Sequence, residues 1–211
     1  MFNYPEKTSV NLKFKMLDLF KTIKADRTVK KDAENIISVT LTNIISPSRI
    51  NLSADKNVKE IYIIKINLKT SRIPEIFLKA FNNQIFFQTV FKLCYNDEVK
   101  YFSSIKSFNE EKMKILKTYE TAWKAESKIE FPITTKLTPV FKSAIEYITN
   151  QKFKQDETYE EYVERLINIK KLNAEIERLT KLMNAEKQPN LKMDLNDKIK
   201  EIKIELQKME D

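Results

Sequence analysis

The chain has no glycine, no histidine and a single cysteine, Cys94, among its 211 residues. Each absence removes chemistry. Without glycine there is no Gly-rich phosphate cradle of the P-loop or dinucleotide kind, since those loops need backbone to approach phosphate with no Cβ in the way or to take positive φ cheaply. Without histidine there is no Ser-His-Asp or Cys-His nucleophile system, no imidazole-based zinc site and no ordinary general base near neutral pH. One cysteine cannot close an internal disulfide or build a structural zinc site. Neither a cofactor nor a metal is therefore expected, and the reading leans away from an enzyme; carboxylate–metal or lysine chemistry is what remains open.

Other features are also missing. No apolar run approaches the roughly 18 residues of a membrane span. The first residues, Met1-Phe2-Asn3-Tyr4-Pro5-Glu6-Lys7, lack the basic and apolar blocks of a signal peptide. A cytoplasmic protein with no membrane association is the expectation. Arginine is scarce: 5 of the 38 basic residues.

Hydrophobic residues make up 42% and charged residues 32%, the balance of a folded chain rather than a disordered one. The net charge of +8 is uneven. Residues 1–69 carry +6, residues 70–157 carry +3 and residues 158–211 carry −1. A basic domain is an electrostatic footprint for nucleic acid. Its plainer explanation is a lysine-rich surface that keeps the protein in solution. Lysine without arginine argues against base-specific readout.

The pattern predicts an α+β fold: a small mixed sheet with flanking helices over residues 1–157, then an antiparallel helical hairpin over 158–211. Residues 1–15 read as extended. Apolar residues from Leu17 to Ile45 (Leu17, Phe20, Ile23, Ala33, Ile36, Ile37, Leu41, Ile44) fit helical spacing, with a break near Asp26–Thr28. Val58–Leu68 is the clearest strand, being dense in β-branched residues. A short helix is expected from Pro74 to Phe81. A hairpin follows from two strand-like runs, Gln84–Tyr95 and Val99–Ile105, around Asn96-Asp97-Glu98, then a strand from Met113 to Trp123. Glu130–Pro139 reads as irregular, and Val140–Thr149 as a helix with Phe141, Ile145 and Ile148 on its apolar face.

The last third is different. Ile169, Leu172, Ile176, Leu179 and Met183 step by three and four residues, and so do Leu195, Ile199, Ile202, Leu206 and Met209. These are a/d seams, interrupted at Gln188-Pro189-Asn190, and they read as two packed helices. The seam residues are the expected partner interface, whether they close on each other or on another chain.

Candidate sites each have a plain alternative. Asp55, Glu60 and Lys65 invite comparison with metal-dependent nucleases, in which a strand-borne Glu-x-Lys holds Mg²⁺ and assists water. The Glu60–Lys65 spacing is five rather than two and sets them on opposite strand faces, which favours solvated charges. The acidic run Asp156, Glu157, Glu160, Glu161 and Glu164 reads better as a helix start, with Thr158 and Glu161 at capping-box spacing, than as a metal site. Tyr119 and Trp123, preceded by Lys114 and Lys117, form an aromatic–basic pair that would suit stacked bases, a protein interface or a core. Lys13, Lys15, Lys21 and Lys24 make a candidate phosphate-facing stripe, with Lys21 and Lys24 on one helical face, against the default of a solvated surface. Cys94 reads as an inert core residue.

Several segments resemble a bacterial family designated domain of unknown function 4391. They are Phe2-Asn3-Tyr4-Pro5-Glu6-Lys7-Thr8-Ser9-Val10-Asn11, Val58-Lys59-Glu60-Ile61-Tyr62-Ile63-Ile64-Lys65-Ile66, Tyr119-Glu120-Thr121-Ala122-Trp123, and Ala185-Glu186-Lys187-Gln188-Pro189-Asn190 with Asp194-Leu195-Asn196. The match spans nearly the whole chain. It departs from the family pattern at Pro189, where an apolar residue is usual, and in having no glycine in the hairpin. The resemblance implies an accessory role in a restriction-like defence system beside a DNA methyltransferase or helicase, and brings no catalytic residues. The alternatives are a divergent metal-dependent nuclease and a non-specific nucleic-acid-binding protein.

Overall fold

In the computed structural model, which describes residues 1–109 and 112–210, the chain divides into two compact units, Met1–Lys152 and the segment from Phe153 onward. Each follows from its own sequence pattern.

The first unit is built on one mixed sheet. Its strands are β1 (Ser9–Phe14), β2 (Ile36–Ile45), β3 (Ile61–Leu68), β4 (Gln88–Tyr95), β5 (Glu98–Asn109) and β6 (Lys112–Glu120), in that spatial order, with a short β7 (Lys124–Ala125) also on β5. All neighbours are antiparallel except β3 and β4. That parallel pair needs a crossover, supplied by helix α3 (Glu75–Gln84). Helices α1 (Met16–Thr22) and α2 (Arg27–Asp32) link β1 to β2.

The strand-forming run at β2 overturns the helix expected through residues 33–45. Seven of its ten residues are β-branched, and such side chains lose rotamer freedom in a helix but fit a pleated sheet. Buried Val39 and Leu41 set its register, one face inward. The helical spacing read there is a coincidence of closely spaced isoleucines. The expected break near Asp26 does occur: Lys24 takes φ 49°, and the Asp26 carboxylate caps α2 by accepting from the Val29 amide at 2.8 Å.

Strand alternation gives the sheet two unlike faces. On one, Val39, Leu41, Ile64, Ile66, Phe91, Leu93 and Phe102 pack with Leu19, Ile23, Phe77, Leu78 and Phe81 from the helices, forming an apolar core. The other face carries Thr40, Ile63, Lys65, Val90, Lys92 and Tyr101 in alternating positions. Helix α4 (Leu137–Thr149) covers part of that face, packing on β5 and β6, with the Tyr147 ring edge-on to Tyr101 at 5.6 Å. Because both faces of β5 are covered, Val99 to Lys106 is buried without a break. The β4–β5 turn is Asn96-Asp97, and Asn96 takes the positive φ (49°) that glycine would otherwise supply.

The second unit is the expected hairpin, α5 (Tyr159–Ala185) and α6 (Pro189–Glu210) packed together. Pro189 opens α6, where its missing N–H is no loss. The Arg165 guanidinium donates to the Met209 carbonyl and the Lys154 ammonium to that of Lys208, so the start of α5 lies beside the end of α6. The Thr158–Glu161 capping box is formed in both directions. The residues before α5 belong to this unit through their side chains: Phe153 stacks on Tyr162 at 3.7 Å, and Glu157 grips Arg165 with both oxygens, at 2.6 and 2.8 Å. No helix among the described residues is long and apolar enough to cross a membrane.

Candidate functional site

Burial along α5 and α6 follows the spacing. Ile169, Leu179 and Ile199 are buried; Leu172, Ile176, Met183, Leu195, Ile202, Leu206 and Met209 are half-buried, and none is exposed. Near the turn, apolar side chains off the seam stand free: Leu182 is 47% exposed, Leu191 45% and Met193 66%. Seam periodicity gave no signal for these three.

The lysine stripe does not form as one surface. Lys13 lies on β1, in register with Thr40, hence on the face away from the helices. Lys15 sits at the N-cap of α1, Lys21 in its last turn, and Lys24 beyond its end with left-handed backbone. Lys21 and Lys24 therefore share no helical face, because the helix stops at Thr22. Tyr119 and Trp123 also part company. Tyr119, on β6, pairs with Ser103 and follows the Tyr101 face; Trp123 lies past the strand end, 6.4 Å from Tyr95, against the apolar core under the helices.

Two of the three residues compared with nucleases are engaged elsewhere. Asp55 accepts from the amides of Asn57 and Val58, both at 2.9 Å, and from the Thr138 hydroxyl, which makes it a turn-forming residue. Glu60 precedes β3 and interacts with the Tyr62 phenol, which burial first and this carboxylate second push up to about 12. Among the described residues no group of three or more acidic or cysteine side chains is placed to hold a metal ion.

Lys65 is in a different setting. One register line crosses the sheet on its open face: Lys13 on β1, Thr40 on β2, Lys65 on β3, Lys92 on β4 and Tyr101 on β5. Between this line and the N-terminal segment lies a cleft of about 370 Å³, lined among others by Lys65, Lys92, Lys128, Tyr101, Glu6 and Glu126. The segment is held by Asn3 and Met1, which exchange backbone hydrogen bonds with Ile129 at 2.8 Å. Lys92 donates to Glu126 at 2.6 Å. Burial alone would raise the Glu126 carboxyl, but the Lys92 hydrogen bond and charge outweigh it and hold the group below the usual range. Burial pushes the Tyr101 phenol up, so its hydroxyl stays protonated. Cys94 lies two residues from Lys92 on this same face, half-buried rather than in the core, its thiol pushed up by burial.

Sequence reading missed this cleft because its parts lie on separated stretches, which only cross-strand register and the backbone bonds of the N-terminal segment to Ile129 join. The alternation in Ile61–Leu68, with Lys65 breaking an isoleucine run, was the one available signal.

A family model described as Domain of unknown function (DUF4391) matches residues 2–206. No curated protein and no solved structure matches the chain.

Proposed function

The chain belongs to the DUF4391 family, and from that premise we propose that it is a non-catalytic assembly subunit of a DNA restriction or defence system, docking through its C-terminal hairpin onto a helicase or methyltransferase partner. The supporting observation is the incompletely covered apolar surface of the hairpin. Its seam residues are mostly half-buried, and Leu182, Leu191 and Met193 add exposed aliphatic area near the turn. Such a patch gains apolar burial when a further helix or groove covers it, at about 25 cal/mol per Å² of area removed from water. The near-neutral charge of this segment suits a protein partner better than nucleic acid.

The test is co-purification of the full chain with a methyltransferase or helicase encoded beside it. The double variant Leu182→Glu/Met193→Glu should keep its helical circular dichroism and lose the partner. A complex that survives both charges removes the hairpin tip as the docking surface. Sedimentation of the chain alone distinguishes self-association: a concentration-dependent dimer abolished by the same variant assigns the surface to a second copy instead.

A further inference from the structure

We propose that the open face of the sheet in the first unit carries a phosphate-binding site centred on Lys65 and Lys92. The two side chains are direct register partners on adjacent parallel strands, on the same face. Neighbouring strands lie about 4.8 Å apart, so two ammonium-bearing side chains start from nearly the same point. Like charges directly opposite each other destabilise a sheet. Glu126 answers the charge of Lys92, while among the described residues no carboxylate pairs with Lys65. A pair of cations left one counter-charge short, at the floor of a concave space, is what an oxyanion needs.

The surroundings fit that ligand. Lys128 adds a third ammonium at the rim, and the register line ends at buried Tyr101, whose hydroxyl already accepts from the Met1 amino group at 2.7 Å. The cleft also holds the carboxylates of Glu6 and Glu126, which limit the charge it accepts. Its volume of about 370 Å³ falls at the lower end of small-ligand sites, which run roughly 300–1,000 Å³. Lys13 and Thr40 extend the same line towards the β1 edge, giving a phosphodiester chain a track out of the cleft. The Glu126 carboxylate occupies on Lys92 the position a phosphate oxygen would take, so it acts as an internal competitor.

Two sources share this chemistry, a small phosphate compound and a nucleic-acid backbone. Calorimetric titration of the full chain at low ionic strength with inorganic phosphate, and separately with a twelve-nucleotide single-stranded oligothymidylate, separates them. Saturable binding of phosphate assigns a small-phosphate site; binding of the oligonucleotide alone assigns the backbone. In either case Lys65→Gln and Lys92→Gln should each weaken binding about tenfold, the scale of one charge-assisted hydrogen bond. Glu126→Gln should tighten it. Lys79→Gln, on α3 over the opposite face, should leave it unchanged. Lys65 is half-exposed and, among the described residues, in no ion pair, so its variant reports even if Lys92→Gln fails to fold. The proposal is overturned if neither probe binds, if Lys65→Gln binds as the parent does, or if Lys79→Gln loses as much as Lys65→Gln.

Discussion

The Lys106 ammonium lies 2.7 Å from the carbonyl oxygen of Ile85 and closes the C-terminal end of α3. It also donates to the carbonyls of Phe87 at 2.8 Å and Asn82 at 3.2 Å. A helix end exposes unpaired carbonyls and negative dipole, commonly met by a glycine in left-handed backbone. This chain has no glycine and brings a buried cation from β5 instead.

Burial lowers Lys106 from its ordinary 10.5 to about 7. Its folded value lies below its unfolded value, so between the two the unfolded state binds more protons. Stability therefore rises with pH from about 7 towards 10, and the penalty of the buried charge is fully present only below 7. Urea midpoints of the parent should climb between pH 7 and about 9, and Lys106→Met should flatten that slope. Parallel slopes for the two proteins would refute it.

Asp32, at the end of α2, caps the opposite end of α3. It accepts from the amides of Ile76 and Phe77 in α3 at 2.9 and 3.1 Å and from Arg72 at 2.9 Å. Asp32→Ala orphans two helix N–H groups in a buried place and should lower unfolding free energy by about 2–3 kcal/mol. Arg72 is 57% exposed, so Arg72→Ala should cost under about 1 kcal/mol. Denaturant titration of both variants checks the order as well as the size.

Lys24 holds φ 49° between α1 and α2, a conformation that costs a residue with a Cβ about 1–2 kcal/mol. Lys24→Gly removes that strain but adds freedom to the unfolded chain. A net gain of roughly 0.5 kcal/mol, read as a raised thermal midpoint, is expected.

In the hairpin unit, Arg165 and Glu157 are about nine-tenths buried and joined by two hydrogen bonds. Lysine cannot reproduce the planar fork, so Arg165→Lys should cost about 1–3 kcal/mol despite keeping the charge. Hydrogen exchange should then quicken at the start of α5 and the end of α6, where Arg165 also reaches the Met209 carbonyl.

Local regularity decided which parts were legible from sequence. The hairpin was read correctly because its seams repeat every three or four residues with no competing signal, and the Thr158–Glu161 box marks its start. Strands β3, β4 and β5 were visible as β-branched and aromatic runs. β2 was not, since its isoleucines fit a helical period as well as a strand one, and only pairing with β3 chose between them. The lysines picked from neighbouring positions, Lys21 and Lys24, were separated by a helix end that nothing in their spacing announces.

By itself, the order of residues determined the excluded chemistry, the α+β class and the two seams of the hairpin, since these rest on residue types and short-range period. Folding decided which lysines meet. Lys65 and Lys92 are 27 positions apart and become neighbours only because β3 and β4 align in parallel register, a long-range pairing that no local pattern encodes.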